Sequence, residues 1–338
     1  MAGERHCGAR GPSHASPGAR DDHGLRRYGQ ALELAARMAV RSRFGRRYRM
    51  VRTVVPWSKR TTRACRLGLV IGAAFILLRL LSVPAMAQTP LPLAEWQYSA
   101  GEVLSSYEKP VPDWRVTLGA GAFLQPKFEG AKRYDVEPSG VLDVRYRDIA
   151  FLSDGEGIGV NLLRGRGYRA GVALSYDLGR DSHDDPHLHN LPNVAPAPEP
   201  KLFAQYFLLP VVLTLDLRKA IGGENGLIGD FGAYVPLPVA KETYLFVGPS
   251  LTWASRRYMQ SYFGVSEDAS ASSGLPAFSA HGGFKNATLG ATLVRLFGEH
   301  WLLFGEAAYE HLLDAAADSP ITETRSQFAL GLNVAYRF

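Results

Sequence analysis

Apolar and polar side chains alternate with a period of two along most of the chain after residue 112. The clearest segment ends the sequence, and one of its faces is entirely apolar with aromatic residues at both ends: Phe328, Leu330, Leu332, Val334, Tyr336 and Phe338. Its other face, from Gln327 to Arg337, is small or polar. Because successive side chains of a strand point to opposite sides, this segment predicts a strand that separates an oily environment from a polar or tightly filled one.

Three more segments alternate as clearly, over residues 114–124, 168–178 and 209–218. Each sets an aliphatic stripe opposite Arg, Asp or small side chains, a pattern typical of a strand between lipid and a polar lumen. Their length of about ten residues suits a tilted transmembrane strand. Weaker candidates bring the number of segments to ten, and they are residues 138–147, 157–163, 226–235, 243–254, 284–297 and 301–312.

Backbone chemistry in a membrane requires that such strands form a sheet without edges. Each unpaired N–H or C=O group costs several kcal/mol in hydrocarbon, whereas a closed sheet pairs all of them. The sequence therefore predicts an all-β fold, a closed antiparallel transmembrane β-barrel of ten or twelve strands. A secreted β-sandwich is the alternative, since its strands alternate too.

The two long connections, residues 179–200 and 256–282, raise a problem for the count of ten. Three counted strands separate them, which would place them on opposite sides of the membrane, although long loops normally belong on the outer side. Either one long connection is periplasmic or the count omits a strand. Pro210 lies inside a counted segment and is a warning of an error there, because proline interrupts the ladder.

The first 87 residues differ from the rest in composition and predict an exported precursor. The apolar run Leu67–Leu81 follows several basic residues and precedes Ala85-Met86-Ala87, the parts of a secretory signal peptide. We expect residues 50–87 to be a cleaved signal peptide, with an uncleaved anchor as the alternative. We expect residues 1–49 to be a disordered leader, either a genuine extension or an artefact of the assigned start if translation begins at Met50. Residues 88–112 form a periplasmic segment ahead of the barrel at 113–338.

Net charge separates the leader from the body and argues against a nucleic-acid partner. The whole chain carries +6, but residues 1–87 hold 17 of the 38 Lys and Arg and 4 of the 32 Asp and Glu, which leaves the remainder at −7. An acidic body lacks the electrostatic footprint for phosphate backbones. Both cysteines, Cys7 and Cys65, precede residue 88, so the body offers no thiol nucleophile, disulfide or cysteine-ligated zinc.

A short cluster of carboxylates and imidazoles is the main candidate for a metal site. Its members fall within nine residues: Asp181, His183, Asp184, Asp185, His187 and His189. Side chains of these types at this spacing could ligate a divalent cation. Pro186 and the proline-rich run after it favour instead a solvated acidic loop without fixed ligand geometry. No cofactor is expected.

No set of side chains elsewhere in the body has the residue types and spacing of a catalytic site. The sequence therefore predicts a protein that is not an enzyme. Ser175 and Ser250 lie on predicted strands, but no histidine is placed near either for the pair that an esterase needs. Aromatic residues such as Trp301 could stack on carbohydrate, but are more typical of the girdles at a membrane surface. Arg256 and Arg257, just past a strand end, could meet lipopolysaccharide phosphates or lie in a solvated turn.

Short motifs in the C-terminal half resemble the MipA/OmpV family of Gram-negative outer-membrane proteins. They are Tyr262-Phe263-Gly264-Val265, Ser273-Gly274-Leu275-Pro276, Ser319-Pro320-Ile321 and the terminal Tyr336-Arg337-Phe338. Further matches upstream lie at residues 119–121, 126–130, 145–148 and 179–180. The resemblance covers about residues 113–338, and it rests on the order and spacing of motifs that are short individually.

The resemblance implies an outer-membrane β-barrel without catalytic residues. The member that gives the family its name is a scaffold that bridges a lytic murein transglycosylase and a bifunctional penicillin-binding protein during peptidoglycan synthesis. Other members look like adhesins or general surface proteins. Three functions follow as hypotheses: a scaffold surrounded by outer-membrane lipid and lipopolysaccharide, a small-solute channel, and an adhesin that binds through residues 256–282.

Overall fold

The computed structural model describes residues 112–338 apart from residues 166, 209, 224 and 225. The predictions for the leader, for the signal peptide and, except for Pro112, for the periplasmic segment lie outside the described residues.

Twelve antiparallel strands form one closed barrel, in which each strand pairs with its neighbours in sequence and the first pairs with the last. This arrangement confirms the predicted closed barrel and selects the twelve-strand alternative. The strands are β1 Trp114–Pro126, β2 Tyr134–Tyr146, β3 Ala150–Ser153, β4 Gly157–Gly165, β5 Tyr168–Asp177, β6 Ala197–Leu208, β7 Val211–Lys219, β8 Leu227–Ala240, β9 Thr243–Ala254, β10 Gly283–Phe297, β11 Trp301–Leu312 and β12 Ser326–Arg337.

The predicted faces of the strands are confirmed. On β12, Leu330, Leu332 and Val334 lie on the outer surface and are between 46% and 59% exposed, whereas Asn333 and Ala335 face the lumen and are 1% exposed. The clear segments that became β5 and β7 alternate in the same way. The barrel therefore presents an apolar surface to the membrane and a polar one to its interior.

Small residues allow the first and last strands to close the barrel. Gly121 of β1 pairs with Asn333 of β12. A Cβ atom at Gly121 would lie 2.0 Å from the carbonyl oxygen of Leu332, far inside van der Waals contact. The residue type at this position therefore sets how closely the two strands approach.

The count of ten strands is wrong because it omits β3 and β6. With only four residues, β3 is too short to show alternation. β6 has prolines at its second and fourth positions, Pro198 and Pro200. This part of β6 pairs with β5 alone, because pairing with β7 starts at Lys201. The N–H groups that the prolines lack are therefore not needed for pairing with β7, and the prolines are compatible with the strand. Pro210 lies in the turn between β6 and β7.

The additional strand β6 also resolves the placement of the long connections. Four strands now separate the connection after β5 from the connection after β9, so both lie at the same end of the barrel, the long-loop end. The other end has connections of two or three residues and is the short-turn end. Long loops belong outside and short turns in the periplasm in barrels of this kind.

Helices occur only in the connections of the long-loop end among the described residues. The connection predicted as a loop after β9 contains α1 Arg256–Phe263 and α2 Glu267–Ser273, and the connection after β11 contains α3 Asp314–Asp318. Ser266 caps α2 by accepting a hydrogen bond from the Ala269 N–H. No helix in the described part of the chain is both long and apolar enough to cross a membrane.

Apolar side chains fill the lumen at the short-turn end. They come from seven strands and pack into one cluster, the apolar plug: Val141, Val212, Tyr234, Phe246, Val294, Leu302, Phe304 and Ala335. Tyr234 and Phe246 are fully buried, and their ring centroids lie 6.0 Å apart. The apolar plug occupies the lumen near the periplasmic side.

Candidate functional site

Three segments from the long-loop end fold over the lumen, and we call them the cap: residues 178–196, 255–282 and 313–325. One apolar cluster packs α1 against α3 and includes Met259 and Ala316, both fully buried. A second cluster joins Leu188 and Ile321 to residues of α2 and of the connection between β1 and β2. Burial of this kind makes the cap a packed part of the fold.

The family-motif residues between Tyr262 and Ile321 come together inside the cap, although up to 59 positions separate them along the chain. The Ser319 hydroxyl donates to the Phe263 carbonyl oxygen at 2.6 Å, and Val265 forms an antiparallel bridge with Phe278. Nε2 of His187 lies 3.2 Å from the Pro320 carbonyl oxygen.

The remaining motif residues end the helices or tie the cap to the wall. Ser273 donates to the Ala269 carbonyl oxygen at 2.6 Å, and Gly274 ends α2 with a φ of 79°, a conformation that suits glycine. Gly264 is the C-cap of α1. The Tyr262 hydroxyl lies 2.8 Å from each carboxylate oxygen of Asp177, at the end of β5.

A cavity of about 580 Å³ lies between the cap and the upper wall of the barrel. Its lining has four basic side chains, Lys127, Arg180, Arg218 and Lys285, against eight acidic ones, a formal charge of −4. The acidic residues are Glu129, Asp154, Asp177, Asp181, Asp184, Glu199, Asp230 and Glu310. This acidic lumen favours positively charged ligands.

Oxygen acceptors concentrate on one side of the cavity. Asn286 of β10 donates its amide hydrogens to Glu129 at 3.1 Å and to Glu310 at 3.0 Å, and Lys285 lies 2.7 Å from Glu129. Asn286 is 3% exposed, and its own oxygen, Oδ1, has no hydrogen-bonding partner within the described residues. A buried acceptor without a donor is costly and marks a place where a ligand N–H group would fit.

Burial and hydrogen bonds shift the pKa of several groups in the cap. Burial lowers the pKa of the Arg180 guanidinium to about 10, and it raises the pKa of the Tyr258 hydroxyl well above its usual value. The pKa of Asp181 is lowered, first by a hydrogen bond from the His183 backbone N–H and then by one from its ring. Asp181 therefore stays ionised and contributes to the negative charge of the cavity.

A buried ion cluster lies in the lumen next to β3 and the turn that follows it. The turn between β3 and β4 directs Glu156 into the lumen, where it pairs with both Arg145 and Arg169. Arg145 also contacts Asp143 at 2.8 Å, and Arg169 donates to Gln205 at 2.8 Å. The carboxylate of Glu156 thus bridges two buried arginines and compensates part of their positive charge.

The candidate metal ligands are spread over a structured segment. His183 Nδ1 lies 2.7 Å from Asp181, whereas Asp185 caps a short 3₁₀ turn, Pro186–Leu188, and pairs with Arg133 at 3.1 Å. His189 ends that turn and is exposed. Within residues 112–338, as far as described, no group of three or more His, Cys, Asp or Glu side chains is arranged to hold one ion. The loop differs from a freely solvated one because Leu188 and Leu191 anchor it in the cap.

The other candidate residues take separate places. The Ser175 hydroxyl donates to Glu199 at 3.3 Å, and Ser250 is buried in the lumen wall. Arg256 and Arg257 form the exposed first turn of α1. Aromatic residues lie in two belts on the outer surface, with Trp301 and Tyr336 packed edge to face at the short-turn end.

A closed twelve-strand barrel with an apolar outer surface, short turns at one end and a packed cap at the other defines an outer-membrane β-barrel protein. Residues 118–338 match the family described as MltA-interacting protein MipA. The chain belongs to this family, as the sequence resemblance predicts, and the outer membrane is its location.

Individual relatives are more distant. The chain is 26% identical over 120 residues to an Escherichia coli K12 protein described as outer membrane protein YiaT. That match covers 35% of this chain and 47% of the relative, so the chain spans about half the length of the curated relative it matches.

Among solved structures, an anion-selective porin from Comamonas acidovorans is 10% identical, with a TM-score of 0.34 over 67% of this chain and 98% of that one. OmpT of Vibrio cholerae is also 10% identical, with a TM-score of 0.30 over 67% and 97% of the two chains.

Proposed function

We propose that this protein is a non-enzymatic scaffold that holds peptidoglycan-remodelling enzymes at the inner face of the outer membrane. The observation that carries the proposal is the apolar plug: it occupies the lumen near the short-turn end, an arrangement that suits a docking surface better than a pore mouth. The family description names an interaction with MltA, and a murein transglycosylase of that kind is the partner that we assign to this chain. A penicillin-binding protein would join the same assembly.

The short-turn end has a charge that suits such a role. Among its described residues, basic side chains outnumber acidic ones, the opposite of the cavity at the other end. The basic residues are Arg115, Arg147, Arg164, Lys241, Arg295 and Arg337, and the acidic ones are Asp113, Asp148, Glu242 and Glu299. Two of the pairs partly neutralise each other, Arg147 with Asp113 at 2.7 Å and Arg115 with Asp148 at 3.9 Å. The remaining positive charge would steer an acidic enzyme surface to this face.

Binding to a purified lytic murein transglycosylase tests the proposal. The full chain is reconstituted in lipid nanodiscs that contain lipopolysaccharide, and the dissociation constant is measured by biolayer interferometry. We expect the double variant Arg164→Glu and Lys241→Glu, at the short-turn end, to weaken binding by about tenfold or more, since charge reversal adds repulsion. Lys132→Glu, exposed at the long-loop end, is the matched control and should leave the constant within about twofold.

Two results would overturn the scaffold assignment. One is the lack of any binding by the folded wild-type barrel. The other is an equal loss of affinity in Lys132→Glu and in the double variant, because it would place the contact away from the short-turn end.

A further inference from the structure

The barrel wall has a gap in its upper half, between β2 and β5. β3 pairs with β2 only from Asp143 downward, so residues 134–142 of β2 pair with β1 alone. β4 begins level with Leu174, so the last three residues of β5 pair with β6 alone. Where β3 and β4 are absent, three strand spacings, or about 14 Å, separate β2 from β5.

Protein encloses the gap on all four sides, with β2 and β5 at its lateral edges, and we call it the window. The turn after β3 forms its lower edge, where the Asp154 N–H donates to the Leu142 carbonyl oxygen at 3.1 Å. The cap forms its upper edge, where Arg133 pairs with Asp185 at 3.1 Å and Lys127 donates to the Asp184 carbonyl oxygen at 3.5 Å.

The window opens at the depth of the outer leaflet. Apolar residues of the lipid-facing surface flank it, and Ile158, Leu174 and Tyr176 are 61%, 47% and 60% exposed. Tyr134 stacks on Phe328, at 5.9 Å between ring centroids, in the aromatic belt of the long-loop end. Unpaired backbone groups at membrane depth are tolerated where they line a water-filled cavity, so the window needs a polar space behind it.

The cavity supplies that space and runs out through the window. The same cavity is lined by the lipid-facing Ile158, Leu174 and Tyr176 and by the luminal Glu129, Glu199 and Asn286. An apolar entrance thus leads from the membrane surface to the acidic lumen. Its volume of about 580 Å³ is in the usual range for sites that bind small molecules.

The window edge is protected against pairing with another strand. The upper part of β2 carries Asp135, Glu137 and Pro138, and inward charges and proline are the residues that block strand addition. A second copy or an added strand is therefore a poor occupant, whereas a ligand that enters between the edges is compatible with them.

We propose that the window is a lateral entrance for a single-chain amphiphile with a primary ammonium head group. The chain would lie against the apolar entrance, and the head would reach the side of the cavity formed by Asn286 and Glu310. The lining favours a cation, because its carboxyl groups outnumber its basic side chains by eight to four. The buried Oδ1 of Asn286, which has no hydrogen-bonding partner within the described residues, selects a head group with N–H donors.

Protection of a single cysteine tests this proposal on the full chain, in which Cys7 and Cys65 are replaced by serine. Ser175→Cys places the thiol at the edge of the window, and Gly140→Cys places it on β2, where a Cβ atom meets nothing within 4 Å. Leu289→Cys, 55% exposed on the opposite wall, is the control. Heat-modifiable gel mobility verifies that each variant is folded, and maleimide labelling rates are measured in nonionic detergent.

Dodecylamine should slow the labelling of Ser175→Cys and Gly140→Cys by about fivefold or more and leave Leu289→Cys within about twofold, as expected for occupancy of a specific site. Dodecanoate and butylamine should protect neither, since one lacks the positive charge and the other the chain. Equal protection by dodecanoate would overturn the selection of a cation, and the lack of protection by dodecylamine at both window positions would overturn the entrance. Neither outcome depends on binding of a transglycosylase.

Discussion

The hydroxyl of Tyr262, in the cap, lies 2.8 Å from both carboxylate oxygens of Asp177, at the end of β5. Both residues line the cavity, and both are almost completely buried. This contact joins a helix of the cap to the wall beside the window, so it determines how firmly the roof of the cavity is held.

Removal of that hydroxyl should loosen the cap. In Tyr262→Phe the buried carboxylate loses a donor, and we expect a loss of about 2 kcal/mol in the free energy of unfolding, typical of hydrogen bonds to charged groups. Proteolysis within residues 255–282 should become faster. Tyr309→Phe, whose hydroxyl donates to Ser326 on the outer surface, is the control and should change little. Equal stability of the two variants would show that the contact does not hold the cap.

Neutralisation of Glu156 should destabilise the barrel wall. In Glu156→Gln, Arg145 and Arg169 lose the negative charge that they share, and removing one partner of a buried pair costs about 3–5 kcal/mol. Urea unfolding in lipid vesicles, followed by tryptophan fluorescence, measures the change. Asp113→Asn removes an exposed partner of Arg147 and should have no measurable effect. A stable Glu156→Gln protein would mean that the other partners of the two arginines, Asp143 and Gln205, are sufficient to hold them in the wall.

A side chain at Gly121 should prevent closure between β1 and β12. The Cβ atom of Gly121→Val would lie 2.0 Å from the Leu332 carbonyl oxygen, so the strands must separate. We expect the folded, heat-modifiable fraction on gels to fall several-fold. Gly140→Val is the matched control, because a Cβ atom there has nothing within 4 Å. A normal folded fraction for Gly121→Val would show that the seam is more adaptable than its geometry indicates.

The apolar plug should keep the wild-type barrel closed to ions. Planar-bilayer recordings should show no discrete conductance for the wild-type protein. The double variant Tyr234→Ala and Phe246→Ala removes two fully buried rings from the plug. Because such truncations leave a cavity, this variant should show discrete conductance steps. Discrete conductance of the wild-type barrel would instead support the channel hypothesis.

Sequence alternation predicts most of the wall because a transmembrane strand needs one apolar and one polar or small face. It fails for β3, which has four residues, and for β6, whose prolines at Pro198 and Pro200 are typical of a loop. The prolines are compatible with a strand because β7 does not pair with β6 at their positions. Such pairing is set by the whole sheet and cannot be derived from the segment itself. The omission of β6 also explains why the count of ten placed the two long connections at opposite ends of the barrel.

The candidate site depends on contacts that sequence spacing does not encode. The motif residues Phe263 and Ser319 are 56 positions apart and meet only when the cap folds. The window is less visible still, since it results from the shortness of β3 and from the early start of β4. One signal was present: Asp, Glu and Pro on one strand, β2, are the residues of a protected edge, and an edge inside a closed barrel marks an opening.

Alternate residues of each strand face lipid and the lumen, and spin labelling of β12 tests this arrangement most directly. Nitroxides are attached one at a time at residues 327–335 in membrane vesicles, and collision rates with oxygen, which is concentrated in lipid, are measured. We predict maxima at Phe328, Leu330, Leu332 and Val334, with minima between them, because their exposed and buried positions alternate. A period near that of a helix, or low oxygen accessibility throughout, would contradict the barrel.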